Sequence, residues 1–299
     1  MKQKQWVRHA GLSLALISSL AFAAEEYKER GVGDVVYVPT PQIVVDEMLS
    51  MAKVGPKDFV IDLGSGDGRM VITAAKKFGA RGFGVDLSDE LLAESKKTAQ
   101  SQGVADRAVF IKQNLFETDL SPASVITTYL LPSMNEKLRP KILSMKPGTR
   151  VVAHDYTMGD WNADRQKTLD VPEKKVGTAG KSHIYLWYVP ARIAGRWQSQ
   201  IQTGSRPETW EFELDQRYQM FDGTARIGDQ KLPLRSTRLE ADQISFQFLA
   251  KAGDNSSRHE FNGTVKGDVI EGTLKLGEGA TQKQLPWRAK IVQRAAGKQ

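Results

Sequence analysis

At 299 residues the chain has room for one large domain or two ordinary ones. A hydrophobic content of 40% excludes both a disordered chain and a multi-span membrane protein, and the absence of cysteine excludes disulfides, zinc–thiolate sites and cysteine nucleophiles. The net charge of +7 falls to +4 once residues 1–24, with Lys2, Lys4, Arg8 and no acid, are set aside. That bias is too weak to argue for nucleic acid, and no basic helix, aromatic RNA motif or metal-ligand spacing accompanies it.

In chain order, the first 24 residues read as a signal peptide. Lys2, Lys4 and Arg8 form a basic start, residues 10–20 are apolar, and Ala21-Phe22-Ala23 is a small-x-small cleavage site before Glu25 and Glu26. The apolar run is too short for a comfortable membrane span, and no cysteine follows it to carry a lipid. This predicts a periplasmic or secreted protein whose membrane contact is through the leader alone. Residues 30–190 then alternate strand and helix, as a parallel-sheet domain does. Thr40 and Pro41 read as cap and first turn of a helix carrying Val44, Val45, Met48, Leu49 and Ala52. Strands are expected at residues 59–61, 83–85, 109–112, 125–131 and 150–154, with two more near Thr168 and at 183–189. Helices follow the glycine-rich turn, Ser88 and Pro132, the last at about 136–145.

The most informative stretch is IDLGSGDGR at residues 61–69. An apolar strand ends in Asp62 and enters a turn with Gly64, Gly66 and Gly68, where the backbone can come close to a nucleotide-like ligand. A dinucleotide fingerprint needs a third glycine at position 69, which is Arg69. Acid-x-Gly-x-Gly-x-Gly is instead the first motif of S-adenosylmethionine (SAM) enzymes. The next apolar run ends at Asp86, placed for ribose hydroxyls, with a helix-start role as the alternative. Asn114, after the third strand, can meet an adenine amino group through its carbonyl oxygen or serve as a plain turn residue.

These residues, with YVPT at 37–40 and TYLLP at 128–132 followed by NEKLRPKIL, make residues 36–160 resemble a class I SAM-dependent methyltransferase. More narrowly, they resemble the small lysine methyltransferases that modify the adenine nucleotide translocase and the c-ring protein of ATP synthase. The resemblance implies a seven-stranded Rossmann-like sheet, SAM as methyl donor, and an amine acceptor. Tyr37 and Thr40 of YVPT, Ser65 of the turn and Leu115 beside Asn114 complete the expected cofactor set. Tyr129 and His154, at strand ends, are the expected acceptor-side catalytic residues, with strand-end packing as their alternative; Tyr37 and Asp155 are expected at the same rim. The segment Thr127-Thr128-Tyr129-Leu130 lacks the Pro-Pro motif that grips nucleobase or amide nitrogens, so those acceptors are disfavoured.

After Pro190 the pattern becomes period two. Trp210, Phe212 and Leu214 alternate with Glu211, Glu213 and Asp215, and turn signals recur at 222–223, 228–229, 254–255 and 266–268. Residues 195–296 therefore read as seven or eight antiparallel strands in a small barrel or sandwich, with Trp197 and Trp287 in its core and His259 on a strand or the surface. The cofactor motifs all precede it, so the first unit is expected to hold SAM alone. The whole is read as an exported methyltransferase with an unidentified protein or small-molecule acceptor. A non-catalytic SAM-fold scaffold of the cell envelope is the alternative.

Overall fold

The computed structural model describes residues 37–295 except 253, 254, 278, 280 and 281, so the leader lies outside the described residues. Two sheets carry the chain. The first has seven strands: β1 (Phe59–Leu63), β2 (Arg81–Asp86), β3 (Ala108–Lys112), β4 (Val125–Thr128), β5 (Arg150–His154), β6 (Arg165–Asp170) and β7 (Lys181–Tyr188). Their order is β3-β2-β1-β4-β5-β7-β6. Strands β1 to β5 are parallel, and β7 runs antiparallel to both β5 and β6. The order reverses between β1 and β4, so a crevice opens there at the carboxyl ends of the strands.

Helices α1 (Gln42–Met51), α2 (Arg69–Phe78), α3 (Asp89–Ser101) and α4 (Pro132–Leu143) cover the sheet. Val44, Val45, Met48 and Leu49 of α1 pack with Met70 and Ala74 of α2 against Val125, Val152, Ile184 and Leu186. On the other face Leu138 and Ile142 of α4 join Trp161 and Trp187. Far from the crevice, Arg150 pairs with Asp58, and Ser124 donates to Asp58 at 2.8 Å, fixing β1, β4 and β5 together.

Local chemistry moves three expected boundaries. Strand β4 stops at Thr128, and α4 starts at Pro132, because proline is favoured in a helix's first turn. Thr40 does not cap α1: Pro41 holds that position, and the Thr40 hydroxyl is engaged with His154.

The second sheet has nine strands rather than seven or eight: β8 (Gly195–Ile201), β9 (Glu208–Arg217), β10 (Met220–Ile227), β11 (Gln230–Pro233), β12 (Arg235–Glu240), β13 (Gln243–Ala252), β14 (Asn255–Lys266), β15 (Val269–Leu276) and β16 (Lys283–Arg294). All its pairs are antiparallel, in the order β11-β10-β9-β8-β16-β15-β14-β13-β12. Because β10 also lies beside β12, and β11 beside β13, the sheet curls into a near-closed barrel. Its inside is filled by Trp210, Phe212, Phe246, Phe248, Phe261 and Trp287, so it is a packed core. Phe261 lies 4.8 Å from Phe246 and 4.9 Å from Trp287, ring centre to ring centre. His259 is inside too, stacked on Phe248 at 4.9 Å, and burial lowers its pKa.

Candidate active site

The crevice is a cleft lined by Tyr37, Thr40, Asp62, Gly64, Ser65, Asp86, Asn114, Leu115, Thr128 and Tyr129, among others. The turn at its floor hangs from β2: Gly64 and Ser65 donate to the Val85 carbonyl at 3.0 and 2.9 Å, and Gly66 donates to Asp86 Oδ2 at 2.9 Å. Gly64, Gly66 and Gly68 have φ of 79°, 50° and 80°, the left-handed region that glycine enters without strain.

The glycines do not all serve the cleft. A Cβ on Gly66 would lie 2.3 Å from the Tyr37 ring, and one on Gly68 within 2.6 Å of Phe110 and Ser95. Gly66 therefore makes room for YVPT and Gly68 for close packing of α2, whereas sequence reasoning had both as ligand contacts. Ser65 lies against Gly84, where a Cβ would come within 2.4 Å of it, so its side chain faces β2.

Three carboxylates surround this turn. Asp62 is buried, accepts from Thr127 Oγ1 at 2.5 Å, and is raised to about 7 by burial, with Asp86 and Asp67 adding to the effect. Asp86 fills the helix-start role of the alternative and also lines the cleft where a ribose role would place it. Its Oδ1 accepts from Ser88 N at the start of α3, Oδ2 holds Gly66, and its side chain still lines the cleft. Asn114 serves the turn, its Oδ1 accepting from Phe116 N at 3.0 Å and its Nδ2 donating to Glu117 at 3.3 Å, and it also lines the cleft. Its place beside Leu87, Leu91 and Leu115 leaves an apolar slot next to Asp86.

Sequence reasoning missed Asp67 and Arg69 as working parts. Arg69 Nε donates to both Asp67 oxygens at 2.9 and 3.0 Å, and its Nη1 donates to the Thr40 carbonyl at 2.7 Å. That clip straps YVPT across the glycine turn. The residue that ruled out one cofactor secures the site of another.

On the acceptor side, Tyr129 follows β4 and lines the cleft, half-buried. Its hydroxyl donates to Asp155 Oδ2 at 3.4 Å, and burial, then the Asp155 charge, push it well above the ordinary tyrosine range. Asp155 has a φ of 61°, a strained backbone for a residue with a side chain. It is held by the His183 N–H at 3.0 Å and by a buried ion pair with Lys174, which also donates to the Lys181 carbonyl at 2.6 Å. Lys174 carries no sequence signal, because Glu173-Lys174-Lys175 reads as a solvated run.

His154 does not reach the cleft. It is fully buried, bonded to Thr40 Oγ1 at 3.2 Å and Ser182 Oγ at 2.9 Å, with its ring 4.0 Å from that of Tyr129. Burial lowers it to about 4, so it is neutral near pH 7. The expected catalytic histidine is a platform beneath Tyr129.

The cleft suits SAM. Asp62 offers a carboxylate to a cationic ligand and Asp86 one to a ribose, and the buried Thr128 Oγ1 at its edge has no hydrogen-bond partner among the described residues. Residues 62–165 match the family model of the ANTKMT methyltransferase domain. A protein-lysine N-methyltransferase from Saccharolobus islandicus is 48% identical over 43% of this chain and 81% of its own length. The chain belongs to this methyltransferase family. An adenine nucleotide translocase lysine N-methyltransferase from Mus musculus is 30% identical over 42% of this chain and 56% of its own. A solved structure described as an RNA methyltransferase from Salinibacter ruber with S-adenosyl-L-homocysteine is 46% identical, at a TM-score of 0.47, and covers 52% of this chain and 96% of its own. The protein is a SAM-dependent methyltransferase with SAM as its cofactor.

Proposed function

We propose that this methyltransferase acts on a primary amine, a lysine side chain of a protein, and that Tyr129 meets the acceptor. The observation that carries the reading is the Tyr129 hydroxyl at the cleft wall, bonded to the buried Asp155 behind it. SAM, when bound, supplies a methyl group on a positively charged sulfur. The protein's task is then to align the acceptor and free its lone pair. A Tyr129 hydroxyl that donates to Asp155 keeps its oxygen lone pairs for an amine N–H, and so fixes the direction of the nitrogen. An ammonium must lose a proton first: it passes to the Tyr129 oxygen as the Tyr129 proton passes to Asp155. The lysine-directed names of the two relatives support the same acceptor class.

The test is incubation of the protein with methyl-labelled SAM and a cell-envelope extract, with protein and RNA fractions counted separately. Methyllysine in a labelled protein is the expected result; label confined to RNA overturns the acceptor. We also propose export, on the pattern of residues 1–24. A mature chain starting near residue 25 in the extracytoplasmic fraction is expected, and an intact Met1 there overturns cleavage.

A further inference from the structure

The barrel meets the catalytic unit at two turns: at β12–β13, where Glu240 pairs with Arg165 at 3.5 Å, and more deeply at β9–β10. Between β9 and β10 only Tyr218 and Gln219 lie outside the ladder, and Tyr218 has a φ of 54°, where hairpins favour glycine. Its ring is buried in the catalytic unit's own core, stacked at 6.0 Å on Trp161, and its hydroxyl donates to Asp160 Oδ1 at 2.9 Å. Gln219 accepts from Trp161 Nε1 at 2.9 Å and donates to the Asn162 carbonyl at 2.7 Å. Gln216 locks the turn to the connecting chain, accepting from Ile193 N at 2.7 Å and donating to the Ala191 and Tyr218 carbonyls at 2.8 and 2.7 Å.

What the turn grips is the segment that leaves Asp155. Residues 156–162 have no ladder of their own beyond a bridge between Met158 and Trp161. Beside the turn, α4 holds the same segment: Asn135 donates to the Thr157 carbonyl at 3.2 Å and Arg139, whose guanidinium lies over the Tyr218 ring, to the Met158 carbonyl at 2.7 Å. Tyr156, at its start, stacks on Tyr129 at 6.1 Å. The wall behind the acceptor-side tyrosine is thus irregular backbone held jointly by α4 and the barrel.

We propose that the β9–β10 turn is a positioning element for the acceptor side of the cleft: Tyr218 and Gln219 fix residues 156–162, and through them Asp155 and the ring of Tyr129. This rests on the reading that Tyr129 meets the acceptor. It gives the barrel a part in the reaction although it holds no cofactor residue.

The experiment uses the full chain and four variants, Gln219→Ala, Tyr218→Ala, Tyr218→Phe and Tyr129→Phe. It measures S-adenosyl-L-homocysteine affinity, kcat and KM for methylation of poly-L-lysine, and amide hydrogen exchange over residues 155–162. Gln219→Ala and Tyr218→Ala should lower kcat by about tenfold or more, since a misplacement of about an ångström can cost about a hundredfold. Both should speed exchange in 155–162 and leave cofactor affinity within roughly twofold, well under the tenfold that 1.4 kcal/mol brings. Tyr218→Phe keeps the stacking and should recover most of the rate.

Unchanged kcat and exchange in the alanine variants overturn the proposal, as does a parallel loss of cofactor affinity, which signals general loosening. If Tyr218→Ala does not fold, Gln219→Ala decides, because Gln219 is only half-buried. An unchanged rate in Tyr129→Phe overturns the acceptor reading instead, while exchange still reports whether the turn holds 155–162. If poly-L-lysine takes no label from the wild type, the amine reading falls, and the acceptor half of this proposal with it.

Discussion

Beneath the glycine turn, the Asp62 carboxyl sits at about 7, far above its ordinary value of 3.8. A carboxyl raised by folding stabilises the fold in its protonated form, so this contribution is full below pH 3.8 and is lost as pH rises to about 7. A cationic ligand works the other way, since it prefers the ionised carboxylate. SAM affinity should therefore rise between pH 6 and 8, by up to about tenfold per unit on the acid side, and Asp62→Asn should flatten that dependence in calorimetric titrations. Lys174 and Asp155 form a second test. Removing one partner of a buried ion pair costs about 3–5 kcal/mol, so Lys174→Met should lower the unfolding midpoint sharply in a denaturant titration. Adding Asp155→Asn to it, which removes the charge, keeps an acceptor for the His183 N–H and suits the φ of 61°, should restore much of the loss. At this scale Asp62, Gly64 and Asp86 of the cleft lining were legible, because strand, acid and glycine follow one another in sequence. The Lys174 and Ser182 partners were not, because they join the site from β7 and the loop before it, and nothing local marks a lysine that will be buried.

Among the elements, the glycine turn offers the sharpest prediction. Gly66→Val would place a branched side chain at a φ of 50° and against the Tyr37 ring, a backbone strain of about 1–3 kcal/mol before any clash. SAM binding should fall steeply while the far-ultraviolet circular dichroism stays that of the wild type. Tyr37→Ala alone should reproduce most of the loss if displacement of YVPT is the cause, and little of it if the ligand meets Gly66 directly. In the barrel, Phe261→Ala should cost about 3–5 kcal/mol of stability without changing cofactor affinity, measured by denaturation and calorimetry. The strands here were readable from alternation, as in Ile244, Phe246 and Phe248, all of which point inward. Their count was not, because β11 has four residues and shows no alternation long enough to separate it from the turns.

For the molecule as a whole, the period change after Pro190 marks where one sheet ends and the next begins, but not where the cores divide. Tyr218 belongs by sequence to the barrel and by packing to the catalytic unit. A chain ending at Pro190 would leave the buried Trp161 without Tyr218 stacked on it and without Gln219 as acceptor for its Nε1. It should melt earlier than the full chain while keeping its SAM affinity within roughly twofold, by thermal-shift titration with and without the ligand. Had the two halves been independent, as the sequence pattern alone implies, the melting of the first would not move. A polar turn of two residues gives no sequence sign that it will enter another unit's core.

The strand order of the barrel has a kinetic consequence. Its first strand, β8, pairs with its last, β16, and Ala289 lies opposite Ser199 across about ninety residues of chain. Closing so long a loop must precede the contacts that reward it, which slows folding. The barrel cannot close until the C-terminal strand is available, whereas the pairs of the first sheet are complete by Tyr188. In refolding, the recovery of SAM binding should lead, and the burial of Trp287 on β16 should trail behind it.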